Sequence, residues 1–236
     1  MKNILFILFL FSLVLTETTK IKKFKKPIFY LDIMMSNKID AELHLVDSYT
    51  NLSAGYISGE DEFDGSSISL GLEFNLYEKE DKYKILMGLS STIIPFEKDN
   101  VPILFNSGNY LYAKNNKFPI LSFYLKGALP VDDKLEVWTS LGLSEIYAAE
   151  EYFIYVDPND NSALPIKGMK FDLGFTYGLG IDYKLKNGLI AGFNFIYYVY
   201  DFESIIPTDT NLSSLFYKST GKFDLLNRSI RLGYSF

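Results

Sequence analysis

The sequence predicts an all-β fold: a closed antiparallel up-and-down transmembrane β-barrel of eight strands, with ten possible. Three observations carry this. Beyond residue 27 the apolar side chains recur with period two, the repeat of a strand that presents one face to each side of a sheet. No stretch of 18 apolar residues and no helical period follows the first residues, so a helical membrane protein is not indicated. The connections between alternating segments come in short and long kinds in turn, as in barrels with short turns at one end and long loops at the other.

Taken in chain order, Lys2 precedes an apolar stretch from Ile4 to Leu15, after which Thr16, Glu17, Thr18 and Thr19 turn polar. As a helix those residues reach about 18 Å, short of the roughly 20 residues a bilayer crossing needs. Residues 1–19 therefore read as a secretory signal peptide, with cleavage near Thr16 to Thr19. Residues 20–27 form a basic leader, with Lys20, Lys22, Lys23, Lys25 and Lys26, placed in the periplasm by this reading. A solvated leader and contact with anionic lipid head groups are both open for it.

The barrel is expected over residues 28–236. Its alternation is clearest where Phe171, Leu173, Phe175, Tyr177, Leu179, Ile181 and Tyr183 interleave with Asp172, Gly174, Thr176, Gly178, Gly180 and Asp182. Asn187-Gly188 then marks a hairpin, because both residues tolerate positive φ. The eight segments fall at about 28–36, 66–77, 83–94, 120–129, 135–147, 171–183, 189–199 and 223–236. Short turns lie at 78–82, 130–134 and 186–188; long loops are expected at 37–65, 95–119, 148–170 and 201–222. A hairpin inside the first loop, pairing residues 43–46 with 53–57, would raise the count to ten.

One parity of these segments is apolar or aromatic, and the other carries Gly, Ser, Thr, Asn and charges. The mixed face makes a poor water-facing exterior and a suitable narrow interior. Asp32, Glu73, Lys84, Lys126, Glu136, Asp172, Asp182 and Arg231 all fall on it, and their mixed signs allow the partnering that buried charges require. Trp138, Ile94, Ile146, Ile190 and Ile196 share that parity, which fits an interior filled by side chains. Arg228 has the outward parity of Ile230, so it either snorkels to a lipid boundary or is turned inward by a bulge.

The final alternation Ile230, Leu232, Tyr234 and Phe236 resembles the C-terminal signature of outer-membrane barrels that the assembly machinery reads. Signal, eight strands and four long loops together resemble the OmpX/Ail and OmpA transmembrane-domain group of small barrels. That resemblance implies a bacterial outer-membrane location with periplasmic termini and extracellular loops. It also implies lipid, lipopolysaccharide and the barrel-assembly machinery as partners, with a host or surface protein possible at the loops.

Net charge of −6 speaks against a nucleic-acid partner, and the absence of cysteine removes disulfides, thiolate nucleophiles and Cys metal sites. No cofactor is expected. Some relatives by resemblance are enzymes that use rim carboxylates with His and, in part, Ser. Here the single histidine, His44, has Ser48, Ser53, Asp40 and Asp47 nearby, with neither a late-strand His-x-Ser nor a His-Asp pairing. Acidic runs at Glu60, Asp61, Glu62 and Asp64 and at Glu150, Glu151, Asp157 and Asp160 match no calcium loop. Loop aromatics Tyr49, Tyr56, Phe105, Tyr110, Tyr112, Tyr152, Phe153, Tyr155, Phe216 and Tyr217 either anchor a partner or extend the sheet beyond the membrane. The expectation is thus a non-catalytic barrel with a plugged lumen, displaying its loops for adhesion, host contact or envelope integrity. A small channel and a rim enzyme acting on lipid are the alternatives.

Overall fold

The structure is a computed structural model and describes residues 27–47, 53–63, 67–79, 82–95, 103–104, 110–113, 117–146, 153–157, 162–165, 167–207 and 216–236. Residues 1–26, which hold the expected signal peptide and all but the last residue of the expected basic leader, lie outside these. In chain order the strands are β1 (Ile28–Asp47), β2 (Ser53–Phe63), β3 (Ile68–Lys79), β4 (Tyr83–Pro95), β5 (Ile103–Leu104), β6 (Tyr110–Ala113) and β7 (Lys117–Pro130). They continue as β8 (Leu135–Ile146), β9 (Phe153–Asp157), β10 (Ser162–Pro165), β11 (Lys167–Phe171), β12 (Gly174–Lys184), β13 (Leu189–Pro207) and β14 (Phe216–Ser235).

Eight of them, β1, β3, β4, β7, β8, β12, β13 and β14, pair antiparallel with their neighbours, and β14 pairs with both β13 and β1, so the sheet returns on itself as an up-and-down barrel. The hairpin anticipated inside 37–65 exists, with Leu43 opposite Ile57 and Val46 opposite Ser53. It does not make a ten-strand ring. Strand β2 takes over from β3 along the upper half of β1, as β11 precedes β12 along β13, and both lengthen existing walls.

The four expected loops are accordingly sheet for much of their length. β1, β13 and β14 run 20, 19 and 20 residues. At about 3.3 Å per residue and a tilt near 40°, such strands stand roughly 50 Å tall, twice the apolar band of about 25 Å that a membrane barrel needs. Outward residues mark where that band ends. On β14, Phe236, Tyr234, Leu232 and Ile230 are exposed and apolar or aromatic, and beyond Arg228 the same parity carries Asp224 and Lys222. On β1, Phe29, Ile33 and Met35 give way to Lys38, Asp40, Glu42 and His44.

A bulge between Met34 and Ser36 lies opposite Arg228 and resets the parity of β1, so Arg228 keeps its outward side and the irregularity sits in its partner strand. Above the band, β5, β6, β9 and β10 form a second small sheet that joins the two middle loops, with Tyr110 opposite Val156 and Tyr112 opposite Ile154. Of the loop aromatics, Tyr56, Tyr110, Tyr112, Phe153, Tyr155, Phe216 and Tyr217 are strand residues; Tyr49, Phe105 and Tyr152 fall outside the described residues.

The short-turn end is built from local chemistry. Asn187 at φ 62° and Gly188 at φ 82° close the β12–β13 hairpin, in a three-residue loop rather than a two-residue one: the Leu185 N–H donates to the Leu189 carbonyl at 2.7 Å. In the β7–β8 turn, Asp132 Oδ1 accepts the N–H groups of Lys134 and Leu135, each at 2.7 Å.

Candidate functional site inside the barrel

Inward residues settle into three layers along the axis. Nearest the short turns the layer is ionic. Arg231 on β14 lies directly opposite Asp32 on β1 and forks onto it, Nε to Oδ1 at 2.9 Å and a terminal nitrogen to Oδ2 at 3.1 Å, while its other terminal nitrogen reaches Glu73 Oε1 at 2.9 Å. Lys126 bridges Glu73, at 3.0 and 3.2 Å, and Asp182, at 2.9 Å. The Tyr124 hydroxyl donates to Glu73 at 2.9 Å and meets the Tyr30 hydroxyl at 2.8 Å. Arg231 stacks over the Tyr30 ring at 4.0 Å, and Lys126 stands 4.4 Å from the Trp138 ring. Closer to the mouth, Lys84 and Lys184 both donate to Glu136.

Charges this deep persist because each has a counter-ion and hydrogen bonds in reach; alone, each would cost several kcal/mol. The two tyrosine rings fit because the strand beside each carries glycine at the point of contact. A Cβ on Gly71 would lie 2.1 Å from the Tyr30 ring, and one on Gly88 would lie 2.1 Å from the Tyr124 ring. The tiny residues on the inward parity are thus the room into which neighbouring rings lean.

Above this is an uncharged polar layer, where Thr92 meets Ser69 at 3.0 Å and the Tyr198 hydroxyl at 3.3 Å, and Ser229 donates to Asn194. At the loop end the interior turns apolar, with Ile94, Ile120, Ile146, Tyr200, Phe202, Phe223 and Leu225 all buried. Among the described residues the interior holds a chamber of about 320 Å³ opening beside the short turns and a pinhole of about 10 Å³ at mid-height lined by Ser122, Trp138, Tyr198 and Arg231.

Seven of the eight charged residues singled out on parity, Asp32, Glu73, Lys84, Lys126, Glu136, Asp182 and Arg231, face this interior and take part in its ion pairs. Asp172 does not. It sits in the break between β11 and β12, exposed, where its N–H donates to the Asp201 carbonyl and the strand alternation is interrupted. Tyr30, Tyr124 and Lys184 share that parity and join the network; the tyrosines carry no charge, and Lys184 lies one residue past the segment expected at 171–183. Glu78, which accepts from Asn75 Nδ2 at 2.7 Å, was not legible: a bulge between Asn75 and Tyr77 shifts the parity of β3 just before it.

The geometry of the ring can be set beside known structures. OprG of Pseudomonas aeruginosa superposes with a TM-score of 0.52 at 16% identity, over 90% of this chain and 97% of that one. The fold is that of a small outer-membrane β-barrel. Lesser superpositions, at TM-scores of 0.48 and 0.34, are found with the outer membrane protease OmpT of Escherichia coli (8% identity, 93% of this chain and 100% of that one) and with Ail, the attachment invasion locus protein of Yersinia pestis (10%, 88% and 99%). At these identities the likeness is one of architecture. No protein-family model and no curated protein matches the sequence.

The residues weighed for catalysis lie elsewhere. His44 is exposed on the outward side of β1, between Thr220 of β14 and Tyr56 of β2, with Asp40 on the same side one pair of alternations below. Ser53 pairs with Val46, Asp47 ends β1, and Ser48 lies outside the described residues. Glu60, Asp61 and Glu62 are paired along β2 with Asp40, Ile39 and Lys38, and Asp157 ends β9; Asp64, Glu150, Glu151 and Asp160 lie outside the described residues. Among the described residues no three acidic or histidine side chains converge as a metal site would require.

Proposed function

We propose that this chain is a non-catalytic protein of the bacterial outer membrane, a plugged barrel that holds its loop-end sheets outside the cell for adhesion, host contact or envelope integrity. The observation that carries the reading is the filled interior: among the described residues an ionic layer, a hydroxyl layer and an apolar layer succeed one another, with a pinhole at mid-height. In this arrangement the termini and short turns face the periplasm, where an outward set of Phe29, Tyr77, Tyr83, Tyr183, Tyr234 and Phe236 forms the aromatic belt of that boundary. Arg228, at the opposite edge of the band, faces lipopolysaccharide phosphates. Ile230, Leu232, Tyr234 and Phe236 serve as the signal that the barrel-assembly machinery reads.

Purified full-length protein in planar bilayers tests the central point. The expected trace is quiet. Stable single-channel steps would replace the plugged anchor by a small channel. Deleting Phe236 in cells tests assembly: the deletion is expected to lower the folded, heat-modifiable fraction in the outer membrane, and an unchanged fraction would remove the signal from the proposal.

A further inference from the structure

We infer that the basic leader is the missing end of β1: residues 22–26 continue that strand along the open edge of β3 and complete the barrel wall at the short-turn rim. The wall is uneven there. β1 pairs with β3 from Ile33 opposite Ile68 to Ile28 opposite Glu73, yet β3 runs on from Phe74 to Lys79. Over that stretch, about 20 Å of strand, β3 pairs among the described residues with β4 alone. On the other side of β1, β14 ends level with it, Ser235 opposite Ile28. The other strand ends at this rim are joined in pairs, β3 to β4, β7 to β8 and β12 to β13, so the step in the wall lies where residues 20–27 enter.

The phase of the hydrogen bonds fits the leader to this step. The Met34 N–H donates to the Ser67 carbonyl at 2.9 Å, so the even-numbered residues of β1 up to the bulge turn their backbone groups to β3 and the odd-numbered ones turn theirs to β14. Continued in the same register, residue 27 comes opposite Phe74 and Lys26 opposite Asn75, with the N–H and C=O groups of Lys26 and Phe24 facing the β3 edge. Pro27 has no N–H, and it falls on the parity that faces the end of β14. A proline one position to either side would interrupt the ladder to β3.

The side chains agree with the backbone. Lys26 and Phe24 take the inward face of Ile28, which lines the chamber together with Asn75, Glu78, Leu185 and Leu189. Glu78 already accepts from Asn75 Nδ2 at 2.7 Å, so a lysine opposite Asn75 meets a carboxylate, and Phe24 covers the apolar part of the chamber mouth. Lys23 and Lys25 take the outward face of Phe29, at the level of the stacked rings of Tyr77 and Tyr83.

Water and anionic lipid head groups are the competing places for these lysines, and amide exchange separates the three. The processed protein, purified from membranes into uncharged detergent, is expected to protect the Asn75 N–H. Deleting residues 20–26 should speed exchange there at least tenfold and leave the Leu70 and Leu72 N–H groups as they were. Two prolines that each remove one lysine give the sharper comparison: Lys26→Pro should speed exchange at Asn75 at least tenfold, and Lys25→Pro, with its missing N–H on the far side, should not. Equal effects of the two prolines, or an Asn75 N–H unprotected in the unaltered protein, overturn the added strand. So does protection that appears only when phosphatidylglycerol is supplied, which assigns the leader to lipid, and so does a processed chain that begins beyond Lys26.

Discussion

Replacing Arg231 by Met removes the fork on Asp32 and the bond to Glu73, and leaves two carboxylates, each at most 1% exposed, short of a counter-ion. Breaking a buried pair from one side typically costs about 3–5 kcal/mol, because the orphaned charge stays in low dielectric. The upper half of that range applies here, since the layer already holds one surplus negative charge and the substitution makes it two. The stacking of the guanidinium on Tyr30, at 4.0 Å, is lost as well. With a urea slope of about 2 kcal/mol per molar, the unfolding midpoint should fall by about 2 M. Equilibrium unfolding from lipid vesicles can follow this through the single tryptophan, Trp138, whose ring lies 4.9 Å from Arg231. Arg231→Lys keeps the charge and loses the fork, and should recover part of the loss. A midpoint for Arg231→Met within about 0.5 M of wild type would refute the view that these residues act as one partnered unit.

Gly88→Val should destabilise by about 1–3 kcal/mol, because the new side chain meets the Tyr124 ring where a Cβ alone comes within 2.1 Å; the same unfolding assay reads it, and Tyr124→Phe leaves the clash in place. Leu125→Arg places a charge on the outward band at a residue 49% exposed and should cost about 2–4 kcal/mol in bilayers if it lies near the midplane; no cost would mean that this face does not see hydrocarbon. Asp132 is held below the usual carboxylate range by the N–H groups of Lys134 and Leu135. A lowered carboxyl stabilises its turn above the ordinary carboxylate value and loses that effect as pH falls through the lowered one. Amide exchange at those two N–H groups should therefore speed up only in strong acid, and Asp132→Ala should remove the pH dependence.

The wall of the barrel was legible because a membrane barrel alternates residue by residue, and of the eight charges assigned inward by counting in twos, seven face the interior. What period two does not encode is a change of phase. The bulges at Met34/Ser36 and Asn75/Tyr77 each shift the count, which hid the inward Glu78 and the outward Lys38 and Asp40. Asp172 was misplaced for a related reason: it lies where two strands meet end to end, and strand parity has no meaning in the gap. Residues 37–65 looked like loop because Gly, Ser and acidic residues dominate them. Their strand character is non-local: 37–47 continue β1 against β14, and 53–63 pair back onto them as β2, well beyond the pairing of 43–46 with 53–57 that the local pattern announces.

Alternation fixes the register of a strand only modulo two. A slip of one residue turns every side chain to the wrong face; a slip of two preserves the faces and needs another device to forbid it. At the closing seam that device is the pair Asp32 and Arg231, directly opposite one another between β1 and β14. Shifted by two, Asp32 would face Ser229 or Gly233, and Arg231 would face Met34 or Tyr30, leaving both charges without a partner across the seam. The natural absence of cysteine makes this measurable. Ile33 and Ile230 are opposite in the native register, so I33C with I230C should cross-link readily, and I33C with L232C should not. Neutralising the pair, D32N with R231M, removes the penalty for slipping and should let the offset cysteines cross-link at the expense of the native ones. If the neutral barrel closes only in the native register, closure is set by the turns and bulges, and the ion pair contributes stability alone.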